Sequence, residues 1–169
     1  MSRAIVEQLL YLMDEAFDAK EQEHSLLTNL RSVPDDGWLW VPSGGARSIF
    51  DIVRHVGECK YVYDNHAFGD GSMRWDRPAT VPTVVREAPM AAVVEWLREG
   101  EHRWRESISE LEDDGELLRP RRANWGRDYE TRWLVNMLIQ HDLYHAGEIN
   151  HIRALRQQKD GWAWETSWT

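Results

Sequence analysis

The sequence predicts an all-α fold, a four-helix bundle, and three observations carry that expectation. Four segments of roughly 20 to 30 residues place apolar residues at spacings of three and four, the period of a half-buried helix. No segment reads convincingly as a strand. At about 1.5 Å per residue such helices span roughly 30 to 45 Å each, the length of bundle elements.

The first helix is expected from about Arg3 to about Arg31, with Val6, Leu9, Leu10, Met13 and Phe17 on one stripe, continued by Lys20, His24 and Leu27. The stretch "SVPDDGWLWVPSGGAR" then breaks the period with Pro34, Gly37, Pro42, Gly44 and Gly45 and reads as a loop. Ser48 should open the second helix, because "SIFD" sets a serine N-cap three residues before Asp51, a short-armed capping box. That helix runs through "IVRHVGECKYVYDNHAF" and stops at the glycines of "GDGS". A connector over about 69 to 87, containing Pro78 and Pro82, is long enough to cross the bundle, so the second and third helices can run parallel. The third helix covers roughly Ala88 to Glu112, with Val93, Leu97, Trp104, Ile108 and Leu111 together. "DDGELLRPRRANWGRDY" reads as loop, the fourth helix runs from about Glu130 to Gln157, and the tail "KDGWAWETSWT" has no period. Neither repeats nor low-complexity tracts divide the chain, and one domain over 1–169 is expected.

The composition narrows the function. Of 169 residues, 42% are hydrophobic and 29% charged, a globular mixture. The net charge of -9 argues against non-specific nucleic-acid binding and against an anionic membrane surface. A single cysteine, Cys59, excludes an intramolecular disulfide framework and suits a reducing cytosol. The acidic N-terminal stretch lacks the pattern of a signal peptide, and no apolar run approaches the ~18 residues of a membrane span. A cytoplasmic setting is expected. Ten tryptophans are many for this length; Trp38, Trp40, Trp75, Trp125, Trp162, Trp164 and Trp168 fall in irregular segments. Large rings covering the ends of a helical core account for them, and an aromatic-walled pocket would use the same rings.

Histidine carries the chemistry. "HDLYHAGEINH", from 141 to 151, holds three histidines and a glutamate on one predicted helix. With His141 at zero and about 100° per residue, His145 lies at about 40° and Glu148 at about -20°, inside the apolar stripe of Leu134, Met137, Leu138 and Ile152. His151, at about -80°, faces elsewhere. His141 and His145 have the i,i+4 spacing that lets two imidazoles share one ion. A further ligand must then come from another helix. On the second helix, Ile52, Cys59 and Val62 lie within about 60° of His55, which therefore also faces the core. His66 shares that face but sits about 16 Å along the axis, and His102 falls off the third helix's stripe. His24, on the first helix's stripe, is a core-facing histidine held by hydrogen bonds or a pocket residue. Cys59 is a buried inert thiol before it is a ligand.

"SIFDIVRHVGE" and the "HxxxHxG" pattern of "HDLYHAGE", with the tryptophan-containing loop that ends in "GGARS", resemble the DinB/YfiT-like superfamily over nearly the whole chain. The resemblance implies an up-down-down-up bundle with a divalent metal at one end, held by His55, His141 and His145. Members often carry an arginine and a glutamine after the last ligand, where this chain has Ala146 and Glu148. The resemblance also implies a homodimer, and it suggests transfer of a low-molecular-weight thiol to a small electrophile.

Three imidazoles leave a coordination position open, the pattern of a catalytic metal. Zinc or nickel is expected first, with iron or copper also suited to imidazole. The ion would lower the pKa of a bound thiol, for S-transfer, or of a bound water, for hydrolysis of a small substrate. Glu148 is the expected catalytic carboxylate: a general base, a hydrogen-bond partner of a ligand, or an extra ligand. Asp142 is the weaker candidate, and Asp51 and Glu58 are placed to orient the His55 ring. Two other readings stay open. One is a non-catalytic, metal-stabilised binding protein such as a stress-response dimer. The other is a histidine cluster held by hydrogen bonds alone.

Overall fold

The computed structural model describes residues 2–19, 24–31 and 33–159. Four long helices dominate these residues: α1 (Ala4–Asp18), α3 (Ile49–Ala67), α4 (Met90–Ser109) and α5 (Thr131–Gln157), with a single-turn helix α2 (Asp35–Trp38) in the loop before α3. α3 packs against α4 and α5, and so does α1, which places α1 and α3 on opposite corners. Side-chain pairs give the directions. Gly57 meets Trp96 and Asp64 meets Ser107, so α3 and α4 run parallel. Arg3 reaches the carbonyl of Ser109 while Asp18 meets Arg98, so α1 opposes α4. The close approach at Gly57 is obligatory, since a Cβ there would lie 2.2 Å from the Trp96 ring.

Ser48 caps α3 as its sequence predicts. Its hydroxyl accepts from the Asp51 N–H, and the Asp51 carboxylate accepts from the Ser48 N–H at 3.0 Å. That fixes the first turn of α3, and His55 follows two turns later. The buried side chains form two clusters. One joins Phe17, Leu26, Leu27 and Leu30 to Ile52, Val53, Val56, Leu97 and Ile149. The other joins Val6 and Met13 to Trp104, Ile108, Leu134 and Leu138.

The first helix is shorter than its periodicity predicts. It ends at Asp18, and Ala19 is extended. The chain then turns back: the N–H groups of Leu26 and Leu27 donate to the carbonyls of Ala16 and Phe17 at 2.9 and 2.8 Å. Those carbonyls would otherwise lack partners at a helix end, so the fold-back caps α1 while burying both leucines fully. The spacing of Phe17 and Leu27 therefore reflects burial on a turn, while His24 between them is exposed. Lys20 of that stripe lies outside the described residues, as do Trp162, Trp164 and Trp168 of the tail. A second difference is a small antiparallel hairpin, β1 (Pro120–Arg122) with β2 (Asp128–Glu130), in the segment read as loop. Strands of three residues are too short to show alternation.

Candidate metal centre

The two long helices α3 and α5 bring three imidazoles together. His141 and His145 project from successive turns of α5, and His55 meets them from α3. The Nε2 of His141 lies 3.2 Å from the Nε2 of His55 and 3.2 Å from the Nε2 of His145. One nitrogen from each ring falls within 4.8 Å of the others, a grouping that can hold a metal ion. His145 is buried, while His55 and His141 are half-buried, so the centre has an accessible side.

Glu148 sets the proton arrangement. Its Oε2 lies 2.9 Å from His145 Nδ1, and a carboxylate in that contact accepts, so Nδ1 carries the hydrogen. The Nε2 lone pair of a neutral His145 then points at the centre. Arg47, in the loop before α3, holds the same carboxylate through Nη2 at 2.7 and 2.9 Å. All three imidazoles are pushed below their ordinary pKa, with burial the largest cause and the Arg47 charge contributing at each; His141 falls to about 3. Neutral rings are the ligating form.

Hydrogen bonds alone do not satisfy this cluster. The single Nε2 hydrogen of a neutral His141 can serve only one of its two imidazole neighbours. In the other tautomer His55 Nε2–H can donate to His141, and the lone pairs of His141 and His145 then face each other at 3.2 Å. The remaining nitrogen, His141 Nδ1, is buried without a partner among the described residues. A cation among the three Nε2 atoms relieves that crowding, so the residues present fit a divalent metal.

Of the other expected residues, Asp51, Glu58 and His24 are placed differently, while Cys59, His102 and His151 lie as expected. Asp51 spends its carboxylate on Ser48 and Arg86, and Glu58 meets Thr83 and Arg54. Neither touches His55, whose ring lies against Cys59 Sγ at 3.8 Å. Cys59 is buried, and burial raises its thiol to about 12. His24 is exposed on the turn after α1, where it lines a separate hollow with Leu12 and Leu143. It is not a core histidine, because the helix that would have aimed it inward has already ended. His102 and His151 are exposed, and His66 Nε2 meets the Met73 carbonyl at 2.7 Å.

Asp142 is the larger surprise. It is buried with Lys60 and Glu101 in a charged triad: Lys60 Nζ donates to Glu101 at 2.5 Å and to Asp142 at 2.8 Å. Burial raises Asp142 to about 7, with Glu101 pushing the same way and Lys60 opposing. Sequence reasoning missed Lys60 and Arg47. A signal for Lys60 existed, since Val53, Val56 and Lys60 share one side of α3 at i, i+3 and i+7. Arg47 has no local signal, because its partner lies 101 positions away.

The fold and site define a class: a helical bundle with a three-histidine cluster set between two of its helices. The family model of the DinB superfamily matches residues 19–149, and the chain belongs to that superfamily. No curated protein matches it. Among the described residues, no helix is long and apolar enough to cross a membrane.

Proposed function

We propose that His55, His141 and His145 hold a divalent metal ion, zinc or nickel first, and that the protein transfers a low-molecular-weight thiol to a small electrophile. The observation that carries the metal site is the convergence of three Nε2 atoms from two helices, with the His145 lone pair aimed inward by Glu148. A bound divalent ion supplies Lewis acidity, lowering the pKa of a thiol or a water in its open position. The thiol reading rests on the superfamily; hydrolysis with water in that position is the alternative the same residues allow.

The chain's own groups divide the work. His55 and His141 form the accessible side, where a substrate approaches. Burial keeps the rings free of protons near neutrality, so they compete for a cation rather than for hydrogen ions. Glu148 is a positioning residue on this reading: it holds His145 by Nδ1 and is itself held by Arg47. A general-base role for Glu148 would add to that. Homodimerisation in the cytoplasm completes the proposal.

The test is elemental analysis with an activity screen. Untagged protein should carry close to one equivalent of metal, and His55→Ala and His141→Ala should carry almost none. Full metal content in either variant would sink the ligand assignment. Protein loaded with each of several metals is then screened against a panel of small thiols and electrophiles. Turnover of water-sensitive substrates without any thiol would favour hydrolysis.

A further inference from the structure

The Arg47–Glu148 pair has a second face. Beside it lies a cavity of about 460 Å³ between the 42–47 loop and the last turns of α5. That volume falls in the range of pockets for small ligands. Arg47, Glu148 and His151 supply its polar wall, and Pro42, Ile152 and Leu155 its apolar wall. None of the three clustered histidines lines it.

The donor inventory of Arg47 selects the ligand. A guanidinium carries five N–H donors on three nitrogens. Glu148 engages only Nη2, and Nε and Nη1 make no hydrogen bond among the described residues. Glu148 is already countered, by Arg47 on one side and by the His145 N–H on the other. The unmet polar capacity of the cavity is therefore cationic, on a group shaped for a carboxylate. Ile152 and Leu155 offer apolar surface to the rest of the ligand.

We infer that this cavity binds a small organic carboxylate, its carboxylate on Arg47 and its apolar body against Ile152 and Leu155. For the ligand's role the inference rests on the thiol-transfer reading: the occupant is a carboxylate-bearing thiol, anchored one hydrogen-bonded residue away from His145. Arg47 then touches both the ligand and the carboxylate that orients His145, which links occupancy of the cavity to the histidine centre.

S-methyl-L-cysteine is the probe, because its blocked sulfur cannot ligate as a thiolate. Calorimetric titration should show it binding to the wild-type protein and to His55→Ala alike. Arg47→Met should weaken binding by about tenfold or more, the loss expected for a charge-assisted hydrogen bond. The probe's methyl ester should be weakened similarly in the wild-type protein, so the inference does not depend on how the variant folds. No binding of the acid, equal binding of the ester, or loss of binding in His55→Ala would each overturn it. The two readings fail separately. Absence of metal from the wild-type protein would remove the thiol-transfer reading and leave the carboxylate titration to decide the cavity.

Discussion

His141 and Asp142 are neighbours on α5, yet they belong to polar clusters of opposite design. Asp142 joins Glu101 and Lys60, where a buried ammonium meets two carboxylates and the charges answer one another. His141 joins His55 and His145, where three neutral rings bring their Nε2 atoms together and the Glu148 carboxylate meets only the far nitrogen of His145. The first cluster pairs opposite charges within the chain and ties α3, α4 and α5 together at one level, with Asp142 Oδ1 left without a hydrogen-bond partner among the described residues. The second has room for a cation among its Nε2 atoms. A buried charge that meets its opposite charge inside the fold is serving the fold. Like acceptors gathered without an opposite charge among them leave room for a cation.

The largest effect that would test this contrast lies in the triad. Lys60→Ala leaves two buried carboxylates without their cation and should destabilise the protein by about 3–5 kcal/mol, read by urea denaturation. His141→Ala, by contrast, should remove the metal while costing the metal-free protein far less. If the two variants unfold at the same urea concentration, the division between structural and ligand-serving clusters fails.

Next in size is the carboxylate behind His145. Glu148→Ala frees the ring and should weaken metal binding by about 10- to 100-fold in a competition titration. Glu148→Gln should recover part of that loss, because an amide oxygen still accepts from Nδ1–H. No difference between the two would remove the orienting role.

The pH dependence sharpens the contrast further. An unfolded histidine gains a proton near pH 6.5, whereas burial holds native His141 down to about 3. As the pH falls below about 6.5 the unfolded chain therefore binds protons that the native one refuses, and the metal-free protein loses stability. Melting temperature against pH should fall more gently for His141→Ala than for the wild type. Asp142 works in the opposite sense, since its raised native pKa favours the folded state as pH falls, and it remains in both proteins. Parallel curves would mean that His141 contributes nothing to the slope.

The smallest effect belongs to Arg47. Its ion pair with Glu148 is partly exposed, at 38% and 27%, so Arg47→Met should change stability by less than about 1 kcal/mol. A larger loss in thermal melts would make Arg47 part of the scaffold rather than of the site.

Whatever depends on near neighbours in the chain can be read from the order of residues alone. The start of α3 was legible because Ser48 and Asp51 satisfy each other across three residues. The inward face of His141 and His145 was legible because a helix repeats every few positions, and the same rule set His151 aside. Even His55 could be chosen, since its own helix shows which side is apolar. Whatever depends on distant partners emerges only in the packed bundle. The end of α1 at Asp18 follows from Leu26 and Leu27 folding back onto its last carbonyls, a choice that periodicity cannot see. Lys60 and Asp142 find each other across 82 positions, and Arg47 finds Glu148 across 101. Charge pairs of that kind carry no local pattern. A helical period says which way a side chain points, and only the packed bundle says what it meets there.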